Sequence, residues 1–547
     1  MRPANGAHAL ANAAPENTAP ETIVIAATPT PNGDLHVGHL AGPYLAGDIY
    51  TRHLRAQGRN VTYATCTDDS QTYVIPSARK RGIEPQQLCA ESTRKIQLSL
   101  DAMGIDISPL PEIDDAYRST VLEFMTSLHE AGRFETRTVR LPYAERAGTY
   151  LFDGLVKGEC PVCLAGSCGG GCENCGHPNH FDQLGNPRSV LDETDPVTLR
   201  EVNVLVLALE KYRGQLIDYF AERRDRWRPR SRQLIDELLA NPLPEVPVTV
   251  PDPGWGIPAP FAPEPGQIIY PWLEAMPASI HATHAARDGM DERADGSWHA
   301  GRGTSLVYFH GFDNVYFWGL VDLVMLLAHG DRYIVPDANI CNEFYELEHQ
   351  KFSTSRNHLI WGADLIAEVP RDSVRFYLAL TGPENQRTNF SRAEMSELVR
   401  SRLTDPWNGL ADSLDHGLRT IDPTQPLEVT ATGRSRANAI HQGFQQGYDL
   451  ASFSPARAAD MLVTQLGRLR DEARAPDDCI DCGSFGDMLL SVRTVLACAA
   501  PILIDAAAEA LRAGVDLDPR AHRDCRAINA FRLPRLATAK SMRGGTR

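Results

Sequence analysis

Apolar residues along this chain follow two different periods. Residues 22–27 (TIVIAA) form a short β-branched run, the pattern of a strand buried on both faces. A turn rich in Thr, Pro, Asn and Gly follows. From residue 38 to 57 apolar positions then recur at helical spacing. Residues 61–66 (VTYATC) read as a second strand. Strand, helix and strand in that order make one right-handed crossover, which opens a doubly wound parallel sheet. A cysteine-rich stretch interrupts the alternation, and 241–265 is rich in proline, as a connector is. Residues 267–270 and 304–308 read as further strands of the same sheet, resumed after a long insertion. From Ser391 onward helical spacing dominates, and no internal repeat is visible.

Composition adds limits to this picture. The chain has 547 residues, 43% of them hydrophobic, enough for several cores. No apolar run reaches the roughly 18 residues of a membrane span. Residues 1–20 are mostly Ala, Pro and Asn and lack the basic start and apolar centre of a secretion signal, so a disordered arm and a cytoplasmic protein are expected. Residues 533–547 are basic and contain glycine, the composition of a frayed end. The net charge of −16 excludes a general nucleic-acid coat but leaves room for RNA on a local basic face.

Twelve cysteines are present, and five of them fall between Cys160 and Cys175. Cys160-Pro-Val-Cys163 and Cys172-Glu-Asn-Cys175 are paired knuckles whose thiolates suit one tetrahedral structural Zn2+. Cys168 reads as free, His177 and His180 as surface residues, and the unpaired Cys479/Cys482 motif as incidental.

Between the first strand and helix stands Pro31-Asn32-Gly33-Asp34-Leu35-His36-Val37-Gly38-His39. That loop lies at the carboxyl edge of a parallel sheet, where ligands bind. The following helix start offers free amides to phosphate. His36 and His39 share one helical face, and imidazoles there can donate to phosphate oxygens as charge builds.

This segment resembles the His-Ile-Gly-His signature of class I aminoacyl-tRNA synthetases. Far downstream, Lys351-Phe352-Ser353-Thr354-Ser355-Arg356 resembles the family's Lys-Met-Ser-Lys-Ser loop. The cysteine knuckles resemble the connective insertion of the methionyl branch. So do the blocks Asn186-Pro187-Arg188-Ser189, Trp227-Arg228-Pro229, Trp255-Gly256-Ile257-Pro258 and Tyr270-Pro271-Trp272-Leu273-Glu274-Ala275. The resemblance implies an α/β fold: a Rossmann-type doubly wound catalytic core with a zinc-knuckle insertion and a C-terminal α-helical domain. The implied segments are an arm (1–20), a first core half (21–135), the insertion (136–262), a second core half (263–338), a loop-bearing region (339–395), a helical anticodon-binding-like domain (396–535) and a basic tail (536–547).

The implied activity is ATP-dependent formation of an aminoacyl adenylate, with Mg2+ accompanying ATP. His36 and His39 would stabilise the α-phosphate and Lys351 the departing pyrophosphate, with Ser353, Thr354 and Ser355 on the same loop. Thr354 replaces the family's second lysine. Pro31, Asn32, Gly33, Gly38, Gly311 and Asp313 would hold ATP. Ala27, Thr30, Asp68, Trp272, Ala275, Asn314 and Trp318 would hold the amino acid, with Asp68 on its ammonium.

The side-chain pocket departs from the family pattern: Thr30 and Ser279 stand for tyrosines, Trp318 for a histidine and Asp322 for a tryptophan. Asn408 matches an anticodon-facing asparagine, but Asp412 replaces an arginine, and no tryptophan follows Trp407. These departures point to transfer of the acyl group to a small-molecule amine, hydroxyl or hydroxylamine. Charging of tRNA with methionine is the alternative, and a non-catalytic tRNA-binding paralogue the third reading. The expected state is a monomer.

Overall fold

A computed structural model describes residues 21–287, 293–352, 358–473 and 482–538. Its central sheet has four parallel strands, in the order Ala338–Asn342, Ser305–Gly311, Glu21–Ala26 and Asn60–Ala64. Each central strand feeds both layers. In the first strand Val24 and Ala26 face one core while Ile23 and Ile25 face the other. Burial on both faces explains why TIVIAA is apolar without alternation. The helix Leu45–Ala56 returns the chain from the first strand to Asn60–Ala64, as its spacing predicts.

A buried ion pair joins this core to the helical region. Asp48 accepts from Arg375 at 2.6 Å, and both side chains are fully buried. Arg375 also donates to the carbonyls of Pro501 (2.6 Å) and Ile502 (3.0 Å). The C-terminal region packs the helices Asp405–Leu418, Ala431–Tyr448, Pro455–Ala473 and Cys482–Ala499. Among the described residues no helix is long and apolar enough to cross a membrane.

The insertion has its own antiparallel sheet, built on the long pair Phe134–Ala144 and Val197–Ala208. Two expectations fail nearby. Residues 267–270 do not extend the core sheet: Gln267–Ile269 pairs antiparallel with Thr249–Pro251 in a separate two-stranded sheet. Gln267 fixes that choice, accepting from the Thr249 hydroxyl at 2.6 Å and donating to the Asn203 carbonyl at 2.7 Å. The tail is not frayed from residue 533. Leu533 and Leu536 are buried, and the segment packs along Asp405–Leu418. Trp407 Nε1 donates to the Pro534 carbonyl at 2.6 Å. Asn408 exchanges two hydrogen bonds with the Leu536 backbone, at 3.0 and 2.9 Å. Arg535 pairs with Asp412 (2.6 Å) and Asp415 (3.1 Å). The charge of Asp412, which replaces the family's arginine, is therefore offset within the chain.

Candidate active site

The loop after the first strand is pinned at the carboxyl edge of the sheet. Ala27 N donates to the Phe309 carbonyl at 2.8 Å, and Asp68 N donates to the Pro29 carbonyl at 3.1 Å. The second bond lays the Ala27–Thr30 stretch against the turn that carries Asp68. Pro31 is buried, Thr30 and Gly33 are half-buried and Asn32 is exposed.

His36 caps the helical turn that follows, its Nδ1 accepting from His39 N at 3.3 Å. The two imidazoles stack with ring centroids 3.7 Å apart. The Phe352 ring stacks on the other side of His36, at 4.5 Å and 11°. A side chain at position 38 would crowd this sandwich, because a Cβ there would lie 3.0 Å from His36 Nδ1 and 3.2 Å from the Phe352 ring. Burial, then His39 and the Lys351 ammonium, hold the His36 imidazole well below its ordinary range. It is therefore neutral near neutral pH and donates through one N–H.

Thus two motifs far apart in sequence meet ring to ring. Lys351 itself is on a short strand, Gln350–Lys351, and pairs with Glu173 of the second cysteine knuckle. Ser353, Thr354, Ser355 and Arg356 lie outside the described residues, as does Cys479. Gly311 ends the core strand Ser305–Gly311, Asp313 lies in the helical turn Phe312–Asn314 that follows, and a Cβ at Gly311 would sit 2.5 Å from Asp313 Oδ1. Burial and the nearby Glu173 carboxylate raise Asp313 to about 6. Asn314 donates to Asp313 at 3.3 Å.

The residues expected to hold the amino acid lie among aromatic and apolar groups. Trp272 stacks on Phe317 at 4.0 Å and 8°. Ala275 is buried one turn further along the same helix, Pro271–Ala286. Ser279 turns its hydroxyl back to the Ala275 carbonyl at 2.9 Å, so it is spent within the helix. Trp318 is buried and packs edge-on against Tyr308 at 5.3 Å. Asp68 is buried, and burial, with the Asp69 and Asp153 carboxylates, pushes its carboxyl well up.

The four knuckle cysteines, Cys160, Cys163, Cys172 and Cys175, bring their Sγ atoms within 4.8 Å of one another. Cys160–Cys175 and Cys163–Cys172 are each 3.7 Å apart. A tetrahedral zinc with Zn–S bonds of about 2.3 Å requires S···S edges of about 3.8 Å, so the set fits Zn2+. Val162 N (3.4 Å) and Asn174 Nδ2 (3.6 Å) donate to the sulfurs, as thiolates need. Zinc there would cross-link the knuckle that carries Glu173.

The family model for class I tRNA synthetases of the M type matches residues 22–413. The chain belongs to the methionyl family of class I tRNA synthetases. A methionine–tRNA ligase of Roseiflexus sp. is 32% identical over 461 residues, 80% of this chain and 76% of that protein. Another, from Christiangramia forsetii, is 32% identical over 383 residues, 69% of this chain but only 55% of that protein. The Mycobacterium tuberculosis methionyl-tRNA synthetase in complex with methionyl-adenylate shares the fold, with a TM-score of 0.72 at 18% identity. That match covers 95% of this chain and 99% of the other.

Several residues of this family member escaped the sequence reading. Glu173 was hidden because its partner Lys351 is remote in sequence. Glu274 is buried, shares a bond with Tyr117 at 3.3 Å, and is raised well up by burial and by Asp68 and Asp69. One oxygen each of Asp69, Asp153 and Glu274 is buried without a hydrogen-bond partner. Two histidines read as surface residues need correction. His180 is 3% exposed, its Nε2 3.0 Å from the Tyr316 hydroxyl, because Tyr270, Tyr316 and Phe317 enclose its ring. His177 is half-buried, 3.5 Å from Glu237. Cys168 lies outside the sulfur cluster, its thiol raised by burial and by Glu173 and Asp153.

Proposed function

We propose that the chain joins an amino acid to ATP, releasing pyrophosphate and forming an aminoacyl adenylate. The observation that carries this reading is the His36–Phe352 stack, which sets the Lys351 strand beside the paired histidines. In this reading the amino-acid carboxylate attacks the α-phosphorus. The bond from the α-phosphorus to the α,β-bridging oxygen breaks, and pyrophosphate leaves. His36 and His39 donate to the α-phosphate oxygens as charge builds there. Lys351 exchanges Glu173 for the β- and γ-phosphates. Asp313 and the Gly311 backbone receive the nucleoside. Asp68, with Asp69 and Glu274 beside it, receives the substrate ammonium, and that cation relieves the repulsion among the three carboxylates.

The second half of the reaction has two readings. The relatives are named methionine–tRNA ligases, which supports transfer to the 3′ end of tRNA. Transfer to a small-molecule acceptor is favoured by one observation. The face of Asp405–Leu418 expected to meet the anticodon is occupied by the chain's own segment around Pro534–Leu536.

The test is incubation with ATP, Mg2+ and labelled amino acids, with and without total tRNA. Label in precipitated tRNA supports charging. AMP-linked amino acid with unlabelled tRNA, trapped as hydroxamate by hydroxylamine, supports the small-molecule route. Absence of both products refutes adenylate formation.

A further inference from the structure

We infer that Asp322 is a specificity residue, receiving a hydrogen-bond donor carried by the side chain of the activated amino acid. The inference rests on the adenylate-forming reading above. Asp322 is fully buried, and neither of its carboxylate oxygens has a hydrogen-bond partner. Its neighbours in sequence, Leu320, Val321, Leu323 and Val324, are all buried and apolar. A carboxylate in such surroundings is costly unless something pairs with it.

Two other buried carboxylates are compensated. Asp48 has Arg375 and Arg52. Asp372 accepts from the Asp505 and Ala506 amides at 3.0 and 2.9 Å. Among the described residues, buried carboxylate oxygens without a partner occur on Asp69, Asp153, Glu274 and Asp322, and only Asp322 has both oxygens so. Under the proposed function Asp69 and Glu274 stand beside the carboxylate that receives the substrate ammonium, and Asp322, with both oxygens unpaired, is read in the same way as awaiting a ligand group.

Its position fits the far end of the same substrate. Asp322 follows Trp318 by one helical turn on the same face. Trp318 packs on Tyr308, and Asp322 lies near the Tyr308 hydroxyl. That hydroxyl donates to Met276 Sδ at 3.6 Å, next to Ala275 on the helix that carries Trp272. An ammonium, amide or hydroxyl reaching past Trp318 supplies the missing partner. A thioether or alkyl chain leaves the carboxylate unpaired, and a site with an unmatched buried polar group rejects that substrate.

The experiment is ATP–pyrophosphate exchange across the standard amino acids plus ornithine, for the parent chain, Asp322→Asn and Asp322→Leu, with thermal unfolding of each. A donor-bearing amino acid is expected to lead in the parent. Asp322→Leu should lower its kcat/KM by about 100-fold or more and leave the KM for ATP unchanged. The same variant should unfold no earlier than the parent, because an unpaired buried carboxylate is gone. The near-isosteric Asp322→Asn should reorder the amino acids even if Asp322→Leu does not fold. Exchange led by methionine, or a ranking unmoved by either foldable variant, overturns the inference alone. Exchange with no amino acid in the parent overturns the adenylate reading and the inference with it.

Discussion

The two ends of the active site are built to different standards of completion. At the nucleotide end the groups already meet one another: His36 on His39, Phe352 on His36, Lys351 on Glu173 and Asn314 on Asp313. At the end proposed for the amino acid the walls are packed, but Trp272 Nε1, Glu274 Oε1 and both oxygens of Asp322 are buried without partners. Phosphate chemistry is common to every substrate of such an enzyme, so its machinery can rest preassembled. Under the proposed function, selection depends on what the free pocket leaves unmatched.

The comparison breaks most visibly at Lys351. Lys351→Ala should lower pyrophosphate exchange by about 10²–10³-fold, equally for every amino acid, since it removes one donor to transition-state charge. An effect that differed among amino acids would show that the two ends are not separate. Acidity comes next. Asp313, raised to about 6, is charged above that pH and neutral below it. The kcat/KM for ATP should fall as pH drops through about 6, by up to about tenfold per unit, and Asp313→Asn should lack that limb.

Smaller effects sharpen the picture of the nucleotide end. Phe352→Ala removes a stack of about 0.5–1.5 kcal/mol and should raise the KM for ATP by up to about tenfold. Glu173→Gln frees Lys351 from an exposed ion pair. Such pairs are worth about 0–1 kcal/mol, so the KM for ATP should drop by about fivefold at most. Steady-state exchange kinetics at varied ATP reads both changes.

What was legible in the sequence was local. The strand–turn–helix around His36 and the two cysteine knuckles each draw their geometry from a few neighbouring residues, and the observed backbone and sulfur spacings follow that reading. Contacts between remote segments were not legible. Nothing in Cys172-Glu-Asn-Cys175 announces that Glu173 meets Lys351. Nothing in a basic tail with two leucines announces that Leu533 and Leu536 are buried while Trp407 and Asn408 hold the backbone between them. His180 was misread for the same reason: the three aromatic rings around it come from elements far along the chain. The strand Gln267–Ile269 was assigned to the wrong sheet because so short a run carries no information about its partner.

The central claim is that the nucleotide end works as assembled. It is tested most directly by exchange of labelled pyrophosphate into ATP by the purified chain, without tRNA, with a mixture of amino acids, beside Lys351→Ala. The account predicts exchange that requires amino acid and is lost in the variant. Exchange indistinguishable from the variant's, or absent with every amino acid supplied, contradicts it.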